Sequence, residues 1–205
     1  MSIKSGITSD TPSKILFGAG VFFAGVTYDD KAAPTENEIR EKLLGATQDG
    51  GSVTIKPEFF APELDGATVK IKELQKKVAE TASMETSFAE LTADNIAHMV
   101  IGDVGETTDK KYDVVTSAEL SEGNTYQGFG FMGELLDGRP VIIIFKNALC
   151  TSGMNTEGKN KNNAVFKGTF ECMSDIAYST TKLPYAIFIH KKDAWQLASV
   201  EEAAG

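Results

Sequence analysis

Residues 45–91 read GATQDGGSVTIKPEFFAPELDGATVKIKELQKKVAETASMETSFAEL, and this stretch decides the fold class. Gly50-Gly51 opens a β-branched and aromatic run, SVTIKPEFF. Pro57 inside that run fits an edge strand or a bulge, because proline removes a ladder donor. Asp65-Gly66 is a turn signal. From Ala67 to about Leu74, Val69 and Ile71 share one face while Thr68, Lys70 and Lys72 share the other, which predicts a second strand. After a turn near Gln75-Lys76, Val78 to Leu91 alternates again. Val78, Met84 and Phe88 fall on one side; Ala79, Thr81, Ser83, Glu85 and Ser87 fall on the other. Fourteen residues at ~3.3 Å each span about 45 Å, long for a strand, so this hairpin projects from a domain or bends into it. Its small polar face gathers no catalytic constellation, and long strands with open edges need partners.

C-terminal to this stretch, Thr92 offers an N-cap, and Leu91 with Ile96 has the spacing of a hydrophobic staple. Ile96, Met99 and Val100 form the inward stripe of a helix ending by Gly102, and the polar loop GETTDKK precedes a short strand over Tyr112–Ala118. Asp137-Gly138, flanked by Tyr126–Leu136 and Arg139–Leu149, is the strongest hairpin signal in the chain. VIIIFKNAL is apolar on both faces and reads as the central strand. A loop over Thr151–Asn163 leads to strands at Ala164–Ser174 and Tyr185–His190.

N-terminal to the stretch, KILFGAGVFFAGVTY (Lys14–Tyr28) predicts one or two strands meeting at Gly18 or Gly20. Thr35 and Glu38 have capping-box spacing, Ile39, Leu43 and Leu44 make an apolar stripe, and Gly45 suits a C′ stop, so a short helix is expected at about 36–44. Three segments result: a polar arm at 1–13, a single β domain at 14–192, and an alanine- and glutamate-rich tail at 193–205.

Composition narrows the function class. A 41% hydrophobic and 24% charged chain of 205 residues has the apolar content to form a core. Its net charge of −9 argues against sequence-independent nucleic-acid binding, which needs basic surface to neutralise phosphates. Cys150 and Cys172 lie in apolar strand patterns without metal spacing and read as buried thiols. The N-terminus lacks an apolar signal-like core, and the longest apolar run, Val141–Phe145, is far too short to span a bilayer.

His98 and His190 have no Cys, Asp or Glu at ligand spacing, so no metal and no cofactor is expected. The serines match no nucleophile elbow, and the expectation is not an enzyme. Gly128-Phe129-Gly130-Phe131-Met132-Gly133 formally matches G-x-G-x-x-G. It lies inside a period-two run ending in a hairpin turn, not between a strand and a helix, so it predicts a sheet surface with close backbone approach rather than a nucleotide site. Lys159 and Lys161, like Lys110-Lys111, sit in polar loops that are solvated or meet a partner subunit.

The pieces Gly45–Thr54, Leu64–Val69, Leu135–Leu149 and Ala164–Asp175, in this order and spacing, resemble the major tail tube proteins of tailed bacteriophages, particularly long-tailed ones. The resemblance covers much of residues 14–190 but not 36–44 or the C-terminal tail. It implies a mainly β fold, a β-sandwich or split barrel with one flanking helix and a long hairpin. It also implies a virion protein assembled in the host bacterial cytoplasm, in which six copies pool strands into a ring and rings stack into a tube. The implied partners are further copies, a tape measure protein in the lumen, tail terminator and baseplate or tail-tip proteins, and DNA passing without specific binding. Under this resemblance Thr81, Ser83, Glu85 and Ser87 face the lumen. Thr68, Val69, Lys70, Ile71, Lys72, Met84 and Phe88 belong to the inter-subunit hairpin, and Lys159 and Lys161 to a ring-contact loop. An acidic lumen would repel phosphate; Lys70 and Lys72 cut against a uniformly acidic one unless they pair with Glu85 or a neighbour's carboxylate. The inner tube of a contractile tail or tail-like injection machine is a related reading. A monomeric β-sandwich binding module and a small β-barrel enzyme are the readings from other classes.

Overall fold

Antiparallel pairing organises most of the chain. The computed structural model describes residues 8, 10, 11, 14–66, 69–157, 163–192 and 194. In chain order the elements are β1 (Leu16–Phe23), α1 (Glu36–Arg40), β2 (Thr47–Phe60), β3 (Lys76–Phe88), α2 (Ala93–Val100), β4 (Gly102–Glu106), β5 (Asp113–Ser117), β6 (Tyr126–Leu135), β7 (Pro140–Cys150), β8 (Asn155–Glu157), β9 (Val165–Met173) and β10 (Tyr185–Ile189). The fold is mainly β, as expected, with a large antiparallel sheet and few helices. Most of the arm and tail expected at the two ends lies outside the described residues.

The main sheet runs β1-β6-β7-β9-β3-β2, and its two ends meet. The Ala24 amide donates to the Lys42 carbonyl and the Leu44 amide to the Phe22 carbonyl, both at 3.1 Å. A Cβ on Gly51 at the start of β2 would lie 2.4 Å from the Phe22 ring, so glycine lets β2 reach β1. The sheet therefore curls around an interior filled from every side. Phe22 of β1, Met84 and Phe88 of β3, Phe129 and Phe131 of β6, Phe145 of β7 and Phe170 of β9 are all buried there. Met99 of α2 joins that cluster. A second cluster covers the opposite face, where Phe23, Val26 and Ile39 pack on Ile142 and Ile144. β7 is thus buried on both sides, as its continuous apolar run requires.

One edge of β7 belongs to β6, and the other is shared. β10 takes Val141–Phe145 and β9 takes Asn147–Cys150. The two partners diverge at Lys146-Asn147, where Asp175 accepts from Lys146 Nζ at 2.5 Å and from Asn147 Nδ2 at 2.7 Å. This fork splits the barrel wall.

Several local readings hold. Thr35 and Glu38 make the capping box of α1, Thr92 Oγ1 accepts from the Asn95 amide at the start of α2, and Asp137-Gly138 turns β6 into β7. Both cysteines are buried free thiols. Pro57 lies in β2, an edge strand, next to an irregularity at Glu58/Phe59.

The glycine-rich run belongs to β6. Gly128 has a φ of +56°, and a Cβ there would lie 1.7 Å from the Val26 carbonyl oxygen, so the close approach is real and no helix follows.

Other readings need correction. Residues 69–71 are irregular and Lys72–Leu74 form a single 3-10 turn, so no strand occupies the described part of 67–74. Two apolar residues alternating with lysine over so short a span do not supply a buried face, and all of Val69, Lys70, Ile71 and Lys72 are exposed. The true partner of β3 is β2, joined by the long connection 61–75. Glu85 accordingly faces Ser52 and Thr169, not Lys70 or Lys72. α1 ends at Arg40, so Gly45, at a φ of +103°, is not its C′ residue. Gly105-Glu106, the first two residues of the polar loop expected at 105–111, end β4, which pairs with β5 in a separate two-stranded sheet. The loop after β7 is strand at Asn155–Glu157.

Candidate assembly surface

The β2–β3 hairpin leaves the barrel partway along its length. β3 pairs with β9 only over Ser83–Phe88, whereas its pairing with β2 continues to Phe60 and Lys76. From Lys76 to Ala82, β3 has β2 on one side and no strand on the other among the described residues. A groove of about 390 Å³ lies along that open edge, lined by Val78, Glu80, Ile176, Thr181 and Leu183. Glu80 anchors the point of departure: Lys77 Nζ lies 2.7 Å from its carboxylate, and Tyr185 Oη donates to it at 3.2 Å. Behind it, burial and then the Glu80 charge push the Cys172 thiol up to about 12.

The predicted polar face is real. Thr81 and Glu85 are exposed and Ser83 and Ser87 half-buried, while Ala82, Met84, Thr86 and Phe88 point into the barrel. Ser52 Oγ donates to Glu85 at 3.4 Å and Thr81 Oγ1 to the Lys56 carbonyl at 3.5 Å. Lys167 and Thr169 of β9 share a polar groove of about 520 Å³ with Glu85 and Ser87. Met84 and Phe88, expected in an inter-subunit hairpin, are 0% and 1% exposed inside the subunit's own core, where no neighbour reaches them. Thr68, Lys159 and Lys161 lie outside the described residues.

The hairpin tip carries the apolar surface. Phe59, Phe60, Leu64, Val69 and Val78 are all more than half exposed. Among the described residues of the connection, Glu63, Leu64, Asp65, Val69, Lys70 and Ile71 line a cup of about 740 Å³. Sequence reasoning did not single out Phe59-Phe60; the available signal was two adjacent phenylalanines on a proline-bearing edge strand.

At the opposite end of β3, α2 closes the barrel. Asn95, 6% exposed, donates from Nδ2 to the Leu44 carbonyl and accepts from Tyr126 Oη, each at 2.9 Å. His98 stacks on the Tyr126 ring at 4.0 Å, and burial holds the Tyr126 hydroxyl far above its ordinary pKa. β4 leaves directly from α2, and Asn124 fixes its base by donating to the Gly102 carbonyl at 2.8 Å. The β4–β5 turn is tied by Thr107 Oγ1, which donates to Asp109 at 2.6 Å and accepts from the Lys111 and Tyr112 amides at 3.2 Å. Tyr112 projects beside it, 70% exposed.

No family model matches the chain, and no curated protein matches it. Among solved structures, it is similar to a chain of the "Virion of native gene transfer agent (GTA) particle". The TM-score is 0.40 and the identity 9%, over 84% of this chain and 96% of that one. A likeness of that degree carries no argument here, and the functional reading rests on the hairpin.

Proposed function

We propose that this chain is a structural virion subunit that assembles with its own copies into rings, stacked as the hollow tail tube of a phage-like particle. The observation that carries the reading is the β2–β3 hairpin, which extends beyond its barrel with a β3 edge that no described strand pairs and with Phe59, Phe60, Leu64 and Val69 exposed at its tip. An open edge of that length is an aggregation liability in a monomer and a pairing site in an assembly. In this reading Thr81, Ser83, Glu85 and Ser87 supply a small, hydrophilic wall. The lumen holds a tape measure protein during assembly and later passes DNA. Terminator and baseplate or tail-tip proteins close the ends. The job is mechanical rather than enzymatic, and it needs no cofactor.

Negative-stain microscopy of the purified chain over a concentration series tests this directly. Rings or hollow tubes are the expected result. A chain that stays monomeric at the highest soluble concentration overturns it. Hydrogen exchange supplies a local readout. Amides of 76–82 on the open edge exchange quickly in the dilute monomer and become protected on assembly; equal rates in both states would remove the hairpin from the interface.

A further inference from the structure

Three Asp-Gly pairs occur in the chain, Asp49-Gly50, Asp65-Gly66 and Asp137-Gly138, and the fold holds each of them differently. An aspartate before glycine reacts with its own backbone. The glycine amide nitrogen attacks the aspartate Cγ, a C–N bond closes a succinimide ring, and the amide proton and the carboxyl hydroxyl leave together as water. Water then reopens the ring. Opening at Cγ restores aspartate; opening at the former main-chain carbonyl leaves isoaspartate, with the main chain running through the side-chain carbon. The reaction needs an amide not engaged elsewhere, a carboxyl not held as an anion, and backbone able to rotate until the two atoms meet.

Asp137-Gly138 fails the first two conditions. The Gly138 amide donates to the Leu135 carbonyl at 2.8 Å. Arg139, buried and anchored on the His190 carbonyl, donates from Nε to the Asp137 carboxylate at 2.8 Å. Burial raises the Asp137 carboxyl, but the hydrogen bonds and charge of Arg139 outweigh it and leave the group below its ordinary value. Asp49-Gly50 fails the third. It lies within β2, clamped between the ladder pairs Thr47 with Phe88 and Gly51 with Thr86. Asp65-Gly66 is held by neither means. Both residues are exposed in the irregular connection after β2, and neither has a hydrogen bond or ion pair among the described residues. Around Gly66 nothing stands within 4 Å of the place a Cβ would take. Exposed backbone without tertiary hydrogen bonds is the part of a fold that opens at least cost.

We propose that Asp65-Gly66 is a modification site, at which the chain spontaneously forms a succinimide and accumulates isoaspartate, while the fold protects the other two pairs. The product keeps its carboxylate, so the net charge stays at −9 while the main chain between β2 and β3 gains one methylene. It also becomes a substrate for the enzymes that methylate isoaspartyl carboxylates. The chemistry needs only one folded copy, so it stands whether or not the chain self-assembles.

The test holds the full folded chain, dilute, at neutral pH and physiological temperature for several weeks, beside the same chain in urea. Peptide mapping with electron-transfer fragmentation measures isoaspartate at each pair, and enzymatic methyl transfer measures the total. In the folded chain, isoaspartate at position 65 should form about tenfold or more faster than at 49 or 137. In urea the three rates should converge. Asp65→Glu, an exposed change that keeps the charge, should remove most of the methyl acceptance of the folded chain, because the longer side chain does not close the same ring readily. Equal rates at 65 and 137 in the folded chain would overturn protection by Arg139 and Leu135. A rate order in urea unchanged from the folded state would mean that local sequence, not the fold, sets it. Absence of isoaspartate at 65 in the folded chain, once the urea sample has accumulated it, would overturn the site.

Discussion

Replacing Asn95 by alanine tests the account of the barrel end in a way that a simple loss of stability would not. Asn95 joins three elements: α2, the Leu44 carbonyl before β2, and the Tyr126 hydroxyl of β6. Alanine removes both hydrogen bonds and strands two polar groups, and Tyr126 is itself only 5% exposed. Each stranded group costs about 1–3 kcal/mol, and the better helix propensity of alanine offsets roughly 0.5 kcal/mol, so the net loss is about 1.5–5.5 kcal/mol. At ~2–4 °C per kcal/mol for a chain of this size, the midpoint falls by about 3–22 °C. Urea unfolding of the dilute monomer measures it. The decisive comparison is Tyr126→Phe. Alone it deletes a satisfied hydroxyl and costs about 1 kcal/mol; with Asn95→Ala it deletes an unsatisfied one and costs nothing or stabilises. Equal costs for Tyr126→Phe in both backgrounds would refute the bridge.

Three further outcomes follow from the same geometry. Gly128→Ala forces a Cβ against the Val26 carbonyl at a positive φ, and it should cost about 2–4 kcal/mol, read as a lowered thermal midpoint. Phe59→Ser with Phe60→Ser alters only exposed tip positions, so the monomer's urea midpoint should hold within about 0.5 kcal/mol while tube formation falls; an unchanged tube yield counts against the tip. Burial, then the Glu80 charge, raises the Cys172 thiol in the folded state to about 12. The unfolded thiol releases its proton first, so the associated stability is complete below the unfolded value and is lost as pH rises toward 12, by up to about 1.4 kcal/mol per pH unit. Urea midpoints between pH 9 and 11 should therefore fall less steeply in Cys172→Ala than in the unaltered chain.

What was readable in the sequence is what local chemistry dictates. The apolar run through Ile142–Phe145 marked the strand that is buried on both faces, and Asp137-Gly138 marked the turn that brings it back on its neighbour. The alternation placed Met84 and Phe88 on the inner face of β3 and Ser83, Glu85 and Ser87 on the other, whereas Val78, read on the inner face, is exposed on the open stem of the hairpin. The failures share a cause: they depended on long-range pairing. Lys70 and Lys72 alternate with Val69 and Ile71 like a strand, but no strand among the described residues lies alongside them, so the alternation is left as a loop. Gly105-Glu106 were read as the start of a polar loop because their burial is slight; they end β4, a strand through its pairing with β5. The fork at Lys146-Asn147 depends on Asp175, nearly thirty residues away, and no local pattern announces it.

The hairpin also sets a timetable for the nascent chain. β2 and β3 are neighbours in sequence and pair as soon as both have emerged, whereas Met84 must wait for Phe170 on its other side. At about 5–20 residues per second, the intervening chain takes roughly 4–17 s to appear. Throughout that interval Met84 and Phe88 have no β9 to cover them, and the whole length of β3 lies open to the same segment on a neighbouring ribosome. Lys76 and Lys77 stand at the leading end of that edge, and charged side chains on an open strand oppose its pairing with a copy of itself before β9 arrives.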